Sequence, residues 1–198
     1  MAVHTTLLVL LACVCPYVQG NAAGANIAAC ADSAFAPQHG GNAAQVSGIP
    51  YTITLSTTTY SAGSSITVTL AGDDLKGFLV AALPEDDPTA APVGSFAAVA
   101  ENSEELSKAA CTGGATHTLA FHNSNPTKNQ IELTWTAPNT GNGNLTFYST
   151  FVKDFATFWV KEPSAVVMFD GNNGNSAMNL FGHVTLIFGV LLAQRVVW

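Results

Sequence analysis

The amino-acid sequence predicts an all-β protein, a sandwich or small barrel built from about eight short strands. Short segments in which apolar and polar residues alternate recur between residues 51 and 160, and turns rich in Gly, Asn, Ser or Pro separate them. Alternation with a period of two is typical of half-buried strands. The abundance of Thr, Gly, Ser and Asn also favours strands and turns over helices.

The overall composition excludes several classes of protein. At 198 residues the chain has room for one ordinary domain and processing segments. A hydrophobic content of 48% against 10% charged residues excludes intrinsic disorder. The formal net charge is −7, and no two of the six Lys and Arg residues are adjacent. Because binding to a phosphate backbone needs clustered cations, we expect no nucleic-acid partner.

Residues 1–20 have the pattern of a secretory signal peptide. Leu7–Val14 is an unbroken apolar run that is too short to span a bilayer, and the small residue Gly20 would precede the cleavage site. Cleavage there would remove Cys13 and Cys15 from the mature protein. The alternative interpretation is a buried core helix.

The small and polar residues 21–29 predict a flexible leader, and a β-sandwich domain is predicted over residues 30–165. The first three strands are predicted over Tyr51–Leu55, Ile66–Leu70 and Lys76–Ala82, with turns at Tyr60–Ser64 and Ala71–Asp74. Pro84–Pro92 is an acidic excursion whose three prolines exclude a regular strand.

The second half of the domain continues the pattern. A short strand is predicted over Gly94–Val99, a single helical turn from Ser103, and strands over Thr116–His122, Ile131–Thr136, Leu145–Phe151 and Thr157–Val160, the last ending before Pro163. Trp135 and Trp159 lie in strand patterns, so we expect both to pack in the core. An exposed Trp159 or Tyr148 would instead favour a carbohydrate-stacking platform.

The sequence contains no catalytic motif, and we predict that the protein is not an enzyme and has no catalytic residues and no cofactor. It has neither the Gly-x-Ser-x-Gly elbow of serine hydrolases nor a glycine-rich phosphate loop. Glu85–Asp87 lacks the alternating oxygen ligands of an EF-hand. We therefore expect a solvated loop there rather than a calcium site.

Three histidines of the predicted domain, His39, His117 and His122, lack the spacing of a metal site, and no metal is expected. His117 and His122 are separated by an odd number of residues, so on one regular strand they face opposite sides. His39 lies beside a pair of glycines in an irregular segment that could line a pocket.

Two cysteines, Cys30 and Cys111, remain after removal of the signal peptide. In an oxidising compartment we expect them to form one disulfide, unless one of them pairs between chains; a reactive thiol is the alternative. In the chain-entropy model a loop of this length stabilises the fold by roughly 4 to 5 kcal/mol.

Asn144-Leu145-Thr146 is the one N-glycosylation sequon in the chain. It lies where a turn meets a predicted strand. Together with the predicted signal peptide, it predicts a glycan on Asn144.

Residues 166–198 are predicted to form a polar spacer and a C-terminal hydrophobic tail. Small residues followed by a spacer and the apolar run Val184–Ala193 form the pattern of a GPI-attachment signal. The candidate attachment residues are Asn172, Asn173, Gly174 and Asn175. The rival interpretations are a short membrane-spanning tail and an amphipathic segment packed on the domain. We expect an extracellular protein, either held at the membrane through this tail or secreted.

Several motifs follow one another in an order that resembles a known family. They are Cys30, Pro37-x-His39-Gly40, Pro50-Tyr51-x-Ile53, Tyr60-x-x-Gly63, Lys76-Gly77-Phe78-Leu79, Cys111, Thr116-His117, Trp135-Thr136-Ala137-Pro138 and Phe158-Trp159-Val160. From Cys30 to Lys161 the chain resembles a reeler domain, the reelin N-terminal type. The resemblance implies an immunoglobulin-like β-sandwich.

The resemblance also implies a role. Stand-alone reeler domains behind a signal peptide occur in secreted arthropod proteins named for defence, whereas larger relatives, similar to ferric-chelate reductases, join the domain to haem-binding membrane modules. We therefore expect a non-enzymatic innate-immune defence or recognition protein whose partners are microbial surface components. The alternative is an adhesion or structural module that binds cell-surface or matrix proteins.

Overall fold

The computed structural model describes residue 24 and residues 35–46, 48–98, 106–109 and 117–171. These residues form ten strands and no helix. The strands are β1 (Tyr51–Leu55), β2 (Thr59–Tyr60), β3 (Ser65–Leu75), β4 (Gly77–Pro84), β5 (Ser95–Ala98), β6 (Leu106–Ala109), β7 (Leu119–His122), β8 (Lys128–Thr136), β9 (Leu145–Val152) and β10 (Phe158–Phe169). The all-β prediction is confirmed.

Two sheets make up the sandwich. A four-stranded sheet has the order β1-β3-β8-β5, and a six-stranded sheet has the order β2-β10-β9-β4-β7-β6. The consecutive strands β1 and β2 lie in different sheets, and β2 pairs with β10 in parallel. Met168 on β10 donates its backbone N–H to the carbonyl of Thr58 at 2.9 Å. The chain therefore joins the two sheets along one side of the sandwich.

Trp135 lies at the centre of the core between the sheets. It is fully buried, its Nε1 donates to the carbonyl of Val93 at 3.0 Å, and its ring meets Tyr60 and Phe147 edge-on at 5.8 and 5.3 Å. A Cβ added to Gly94 would collide with the indole, so this close approach requires a glycine. The prediction of Trp135 as a core residue is confirmed.

A second apolar layer lies on part of the outer face of the six-stranded sheet. Its buried members are Phe35, Leu79, Ala81, Leu83, Leu119 and Phe121. Phe35 belongs to the segment before the first strand, and the Thr150 hydroxyl donates to its carbonyl at 2.8 Å. Strand β4 is consequently buried on both faces, which explains why its sequence is continuously apolar instead of alternating.

Two strands extend well beyond their predicted ends, and the short strand β2, which includes Tyr60 of a predicted turn, was not predicted. Strand β3 continues to Leu75 through the predicted turn at Ala71–Asp74, because Ala71 and Gly72 pair with β1. Gly72 has a φ of 146°, and a Cβ there would collide with the carbonyl of Pro50.

Strand β10 was predicted to end before Pro163 but runs on to Phe169. Register shifts flank the proline, and over that stretch β10 has a hydrogen-bonded strand on one side only among the described residues. A proline is tolerated in such an edge segment. The helical turn predicted from Ser103 falls mostly outside the described residues, and Leu106–Ala109 forms β6.

Candidate functional site

One end of the sandwich, which we call the histidine end, is built from His39, Asn42 and Phe155. The His39 ring stacks on Phe155 with centroids 4.9 Å apart and meets Phe158 edge-on at 5.2 Å. Asn42 Nδ2 donates to the carbonyls of His39 at 2.9 Å and Phe155 at 3.3 Å. Phe155 is 36% exposed. These contacts hold the segment before β1 against the β9–β10 turn and leave an aromatic surface in solvent.

The environment of His39 favours its uncharged form. Burial lowers the pKa of His39, the nearby carbonyl of Phe155 raises it, His122 lowers it and Asp154 raises it, in decreasing order of effect. The Nδ1 atom of His39 is buried and has no hydrogen-bond partner among the described residues. Since burial is the largest effect, the ring is neutral near pH 7.

Charged groups border the histidine end. Lys153 Nζ forms a solvent-exposed ion pair with Asp73 at 2.7 Å. The Tyr51 hydroxyl donates to the carbonyl of Asp74 at 2.7 Å. Burial, with Asp73, Asp74 and Asp154 nearby, raises the pKa of Tyr51 to about 12. Tyr51 is therefore a neutral hydrogen-bond donor here and not a base.

The other two domain histidines lie elsewhere. His122 is buried, with Nδ1 3.2 Å from the backbone nitrogen of Phe78, and a Cβ on Gly77 would lie 2.8 Å from its ring. His117 is exposed and has a φ of 68° in the turn before β7. His122 is thus buried and His117 exposed, but His117 lies in the turn before β7. The alternation of faces along a strand is therefore not the cause of this difference. Within the described ranges, no group of three or more His, Cys, Asp or Glu side chains could hold a metal ion.

The opposite end, which we call the acidic end, contains Glu85–Asp87 and Asn144. Asp87 Oδ1 accepts from the hydroxyl of Thr89 at 2.6 Å and from its N–H at 3.0 Å, and these bonds lower the pKa of Asp87. Glu85 Oε2 accepts from Asn144 Nδ2 at 3.0 Å. Two of the three carboxylates thus accept hydrogen bonds from neighbouring residues, and Glu85–Asp87 forms the predicted loop after β4.

The aromatic residues considered for carbohydrate stacking are not free platforms. Trp159 is 6% exposed and packs edge-on against Tyr51 at 5.5 Å, so its predicted core position is confirmed. Lys161 Nζ lies 5.5 Å from the ring centres of both Tyr148 and Phe35 and donates to the carbonyl of Pro88 at 2.7 Å. The Tyr148 ring therefore already has a cation over it.

The outer face of the four-stranded sheet carries mostly small hydroxyl side chains. The residues on this face are Thr52, Thr54, Ser65, Thr67, Thr69, Ala71, Ser95, Ala97, Gln130, Glu132, Thr134 and Thr136. Only Glu132 in this set is ionisable. We call it the hydroxyl face. The alternating threonines of β1, β3 and β8 are visible in the sequence, but their assembly into one face depends on the strand order.

Several predicted site residues lie outside the described residues. These are Cys30, Cys111, Asn172, Asn173, Gly174 and Asn175. The disulfide, the signal peptide and the anchored tail therefore stay predictions. In the part of the chain that the structure describes, no helix is both long and apolar enough to cross a membrane. Asn144 is exposed, and its glycosylation also stays a prediction.

Sequence reasoning missed Asn42 and Phe155. Phe155 carried a weak signal, because it is an aromatic residue in a polar turn between two strands. Asn42 carried none, since its bond to Phe155 joins positions 113 residues apart.

The two-sheet sandwich is the fold of solved reeler domains. The Reeler domain family model matches residues 28–175, and the chain belongs to this family. The reeler domain of human F-spondin superposes with a TM-score of 0.53 at 17% identity and covers 66% of this chain and 95% of that one. This likeness supports the fold alone.

Relatives of two sizes are found. "Ferric-chelate reductase 1" of Mus musculus is 34% identical over 131 residues, which cover 66% of this chain and 21% of the reductase. "Putative defense protein" of Bombyx mori is 32% identical over 155 residues, which cover 75% of this chain and 85% of that protein. The chain thus spans about a fifth to a quarter of the reductases that it matches.

Proposed function

We propose that this chain is an extracellular, non-enzymatic reeler-domain protein that acts in innate-immune defence by binding microbial surface components. The observation that carries the proposal is the extent of the similarity. The chain aligns with most of the length of the Bombyx mori and Antheraea mylitta defence proteins, but with only a small part of the reductases. A role in defence comes from those proteins' names and therefore needs a direct test.

The histidine end is the surface that we propose for recognition. Phe155 offers an exposed ring, His39 stacks beneath it in its neutral form, and the Asp73–Lys153 pair supplies polar groups at the border. An aromatic surface with a polar rim suits amphipathic ligands such as bacterial lipopolysaccharide, whose sugars and acyl chains need both kinds of contact.

Binding measurements can test this proposal. The full chain, secreted from animal cells, is mixed with whole bacteria and with purified lipopolysaccharide, and bound protein is quantified. We expect Phe155→Ser to weaken binding by about tenfold, the loss of about 1.4 kcal/mol of contact energy. Thr54→Ala, on the hydroxyl face, is the matched control and should bind like the wild type. Absence of binding, or equal binding by both variants, would overturn the proposal.

A second candidate function is adhesion, as a module that binds cell-surface or matrix proteins. The hydroxyl face favours it, because it is a broad and nearly uncharged sheet surface. Cells plated on immobilised protein should then attach, and replacing Thr67 and Thr134 by lysine should abolish attachment without affecting bacterial binding. Attachment that Phe155→Ser abolishes instead would assign both activities to the histidine end.

A further inference from the structure

Two apolar side chains near the end of β10 are exposed on the outer face of the six-stranded sheet. Val166 is 37% and Met168 is 53% exposed. Val167, between them, is buried in the core, so Val166 and Met168 project from the opposite, outer face of the six-stranded sheet. On β4 and β7 the apolar residues of this face are buried together with Phe35. Val166 and Met168 do not belong to this buried cluster.

The sequon lies beside these two residues. Thr146 is the cross-strand partner of Val166, and Asn144 Oδ1 accepts from the backbone N–H of Phe169, next to Met168, at 3.2 Å. Leu145 is buried in the core, so its strand neighbour Thr146 is on the outer face with Val166 and Met168, and Asn144 directly precedes the strand. The Asn144 carboxamide is therefore held at the margin of the exposed apolar pair.

We propose that Asn144 carries an N-linked glycan and that the first sugars of this glycan cover Val166 and Met168. In the transfer, Asn144 Nδ2 forms a bond to the anomeric carbon of a lipid-pyrophosphate-linked oligosaccharide, the bond between sugar and phosphate breaks, the lipid pyrophosphate leaves, and Nδ2 loses one proton. One N–H remains on Nδ2 for Glu85. The C–H faces of the sugar rings can then pack on the two apolar side chains.

Two further features agree with this inference. Thr146 is buried, but N-glycosylation of a chain entering the secretory pathway precedes folding, so its burial does not prevent transfer. The side chain of Asn144 is exposed, with room for a sugar. The inference rests on entry into the secretory pathway and not on a defence function, so either can fail without the other.

The first experiment measures occupancy. The full chain is secreted from animal cells and its peptides are analysed by mass spectrometry before and after release of N-glycans by an amidase. We expect a glycan on the peptide that contains Asn144, and its loss in Asn144→Gln. Asn139→Gln, an exposed asparagine in the same loop but outside a sequon, should keep the glycan. An unmodified Asn144 in secreted protein would overturn the proposal.

The second experiment measures how far the glycan shields Met168 from solvent. Hydrogen peroxide oxidises exposed thioethers, so the oxidation rate of Met168 reports on its shielding. We expect oxidation to be about threefold faster in Asn144→Gln and in wild-type protein from which the glycan has been removed after folding, because Met168 becomes more accessible. Asn139→Gln should match the glycosylated wild type. Equal rates with and without the glycan, in correctly folded protein, would refute the covering role.

Discussion

Replacing Phe35 by alanine tests the apolar layer on the outer face of the six-stranded sheet. Phe35 is almost fully buried against Leu79 and Leu119, and Thr150 holds its carbonyl. Truncating a buried phenylalanine costs about 3 to 5 kcal/mol, since lost transfer energy and a cavity add together. Phe35 lies in an irregular segment before β1, and such a segment relaxes into a cavity more readily than a strand does. We therefore expect a loss of about 3 kcal/mol in the free energy of unfolding.

Urea unfolding of the secreted full chain, followed by tryptophan fluorescence, measures this loss. Trp135 and Trp159 both lie in the core between the sheets, so their emission reports on the sandwich itself. Val46→Ala is the matched control, because Val46 is in the same segment and is 98% exposed. Its free energy of unfolding should stay within about 0.5 kcal/mol of the wild type.

The reasoning would be refuted if Phe35→Ala were as stable as Val46→Ala. A second variant keeps the test independent of the cavity: Thr150→Val removes the hydroxyl that donates to the Phe35 carbonyl and accepts from the Lys161 N–H. We expect a loss of about 1 to 2 kcal/mol, since those two backbone groups would lose a partner.

Four other outcomes are expected. The folded-state pKa of His39 lies below its unfolded value, so the contribution of His39 to stability is present above about pH 6.5 and is lost as the pH falls. Between pH 7.5 and 5 the urea midpoint should therefore fall less in His39→Gln than in the wild type. An equal fall of the midpoint in both proteins would contradict this. Gly94→Ala should lower the free energy of unfolding by at least about 2 kcal/mol, because the added methyl group collides with Trp135. Gly171 has the same φ of 71° but open space around it, so Gly171→Ala should cost only about 1 kcal/mol. Thermal unfolding of the two variants measures this difference. Reduction of the disulfide predicted between Cys30 and Cys111 should lower the free energy of unfolding by roughly 4 kcal/mol. A peptide map that shows two free thiols in the secreted protein would disprove the disulfide. Phosphatidylinositol-specific phospholipase C should release the protein from expressing cells; retention would favour a spanning tail, and secretion without treatment would exclude both anchors.

Local patterns were sufficient for most of the sandwich. The alternating residues of β1 and β8 and the face shared by Leu145, Phe147 and Phe151 were predicted correctly, because period two depends only on neighbouring residues. Trp135 was placed in the core for the same reason. Resemblance to the reeler family then implied a sandwich instead of a barrel, which alternation alone does not decide.

Features that depend on distant residues were not predictable in the same way. Asp73 and Asp74 are typical turn residues, yet they lie in β3 between Gly72, which pairs with Tyr51, and Leu75, which pairs with Lys128. The stack of His39 on Phe155 and the cover of β4 by Phe35 join positions that are far apart in the sequence. Their physical origin is burial in the folded state, for which a short sequence window carries little signal.

The apolar layer that contains Phe35 also limits where this domain can be truncated at its N-terminal end. A protein that starts at Pro50 would keep all ten described strands but would lose Phe35, which is buried with Leu79, Leu119 and Phe121. An uncovered apolar patch of about 300 Å² or more on a sheet invites association with other molecules. Shortened reeler domains of this kind should therefore aggregate in solution even though their strands and central core are intact.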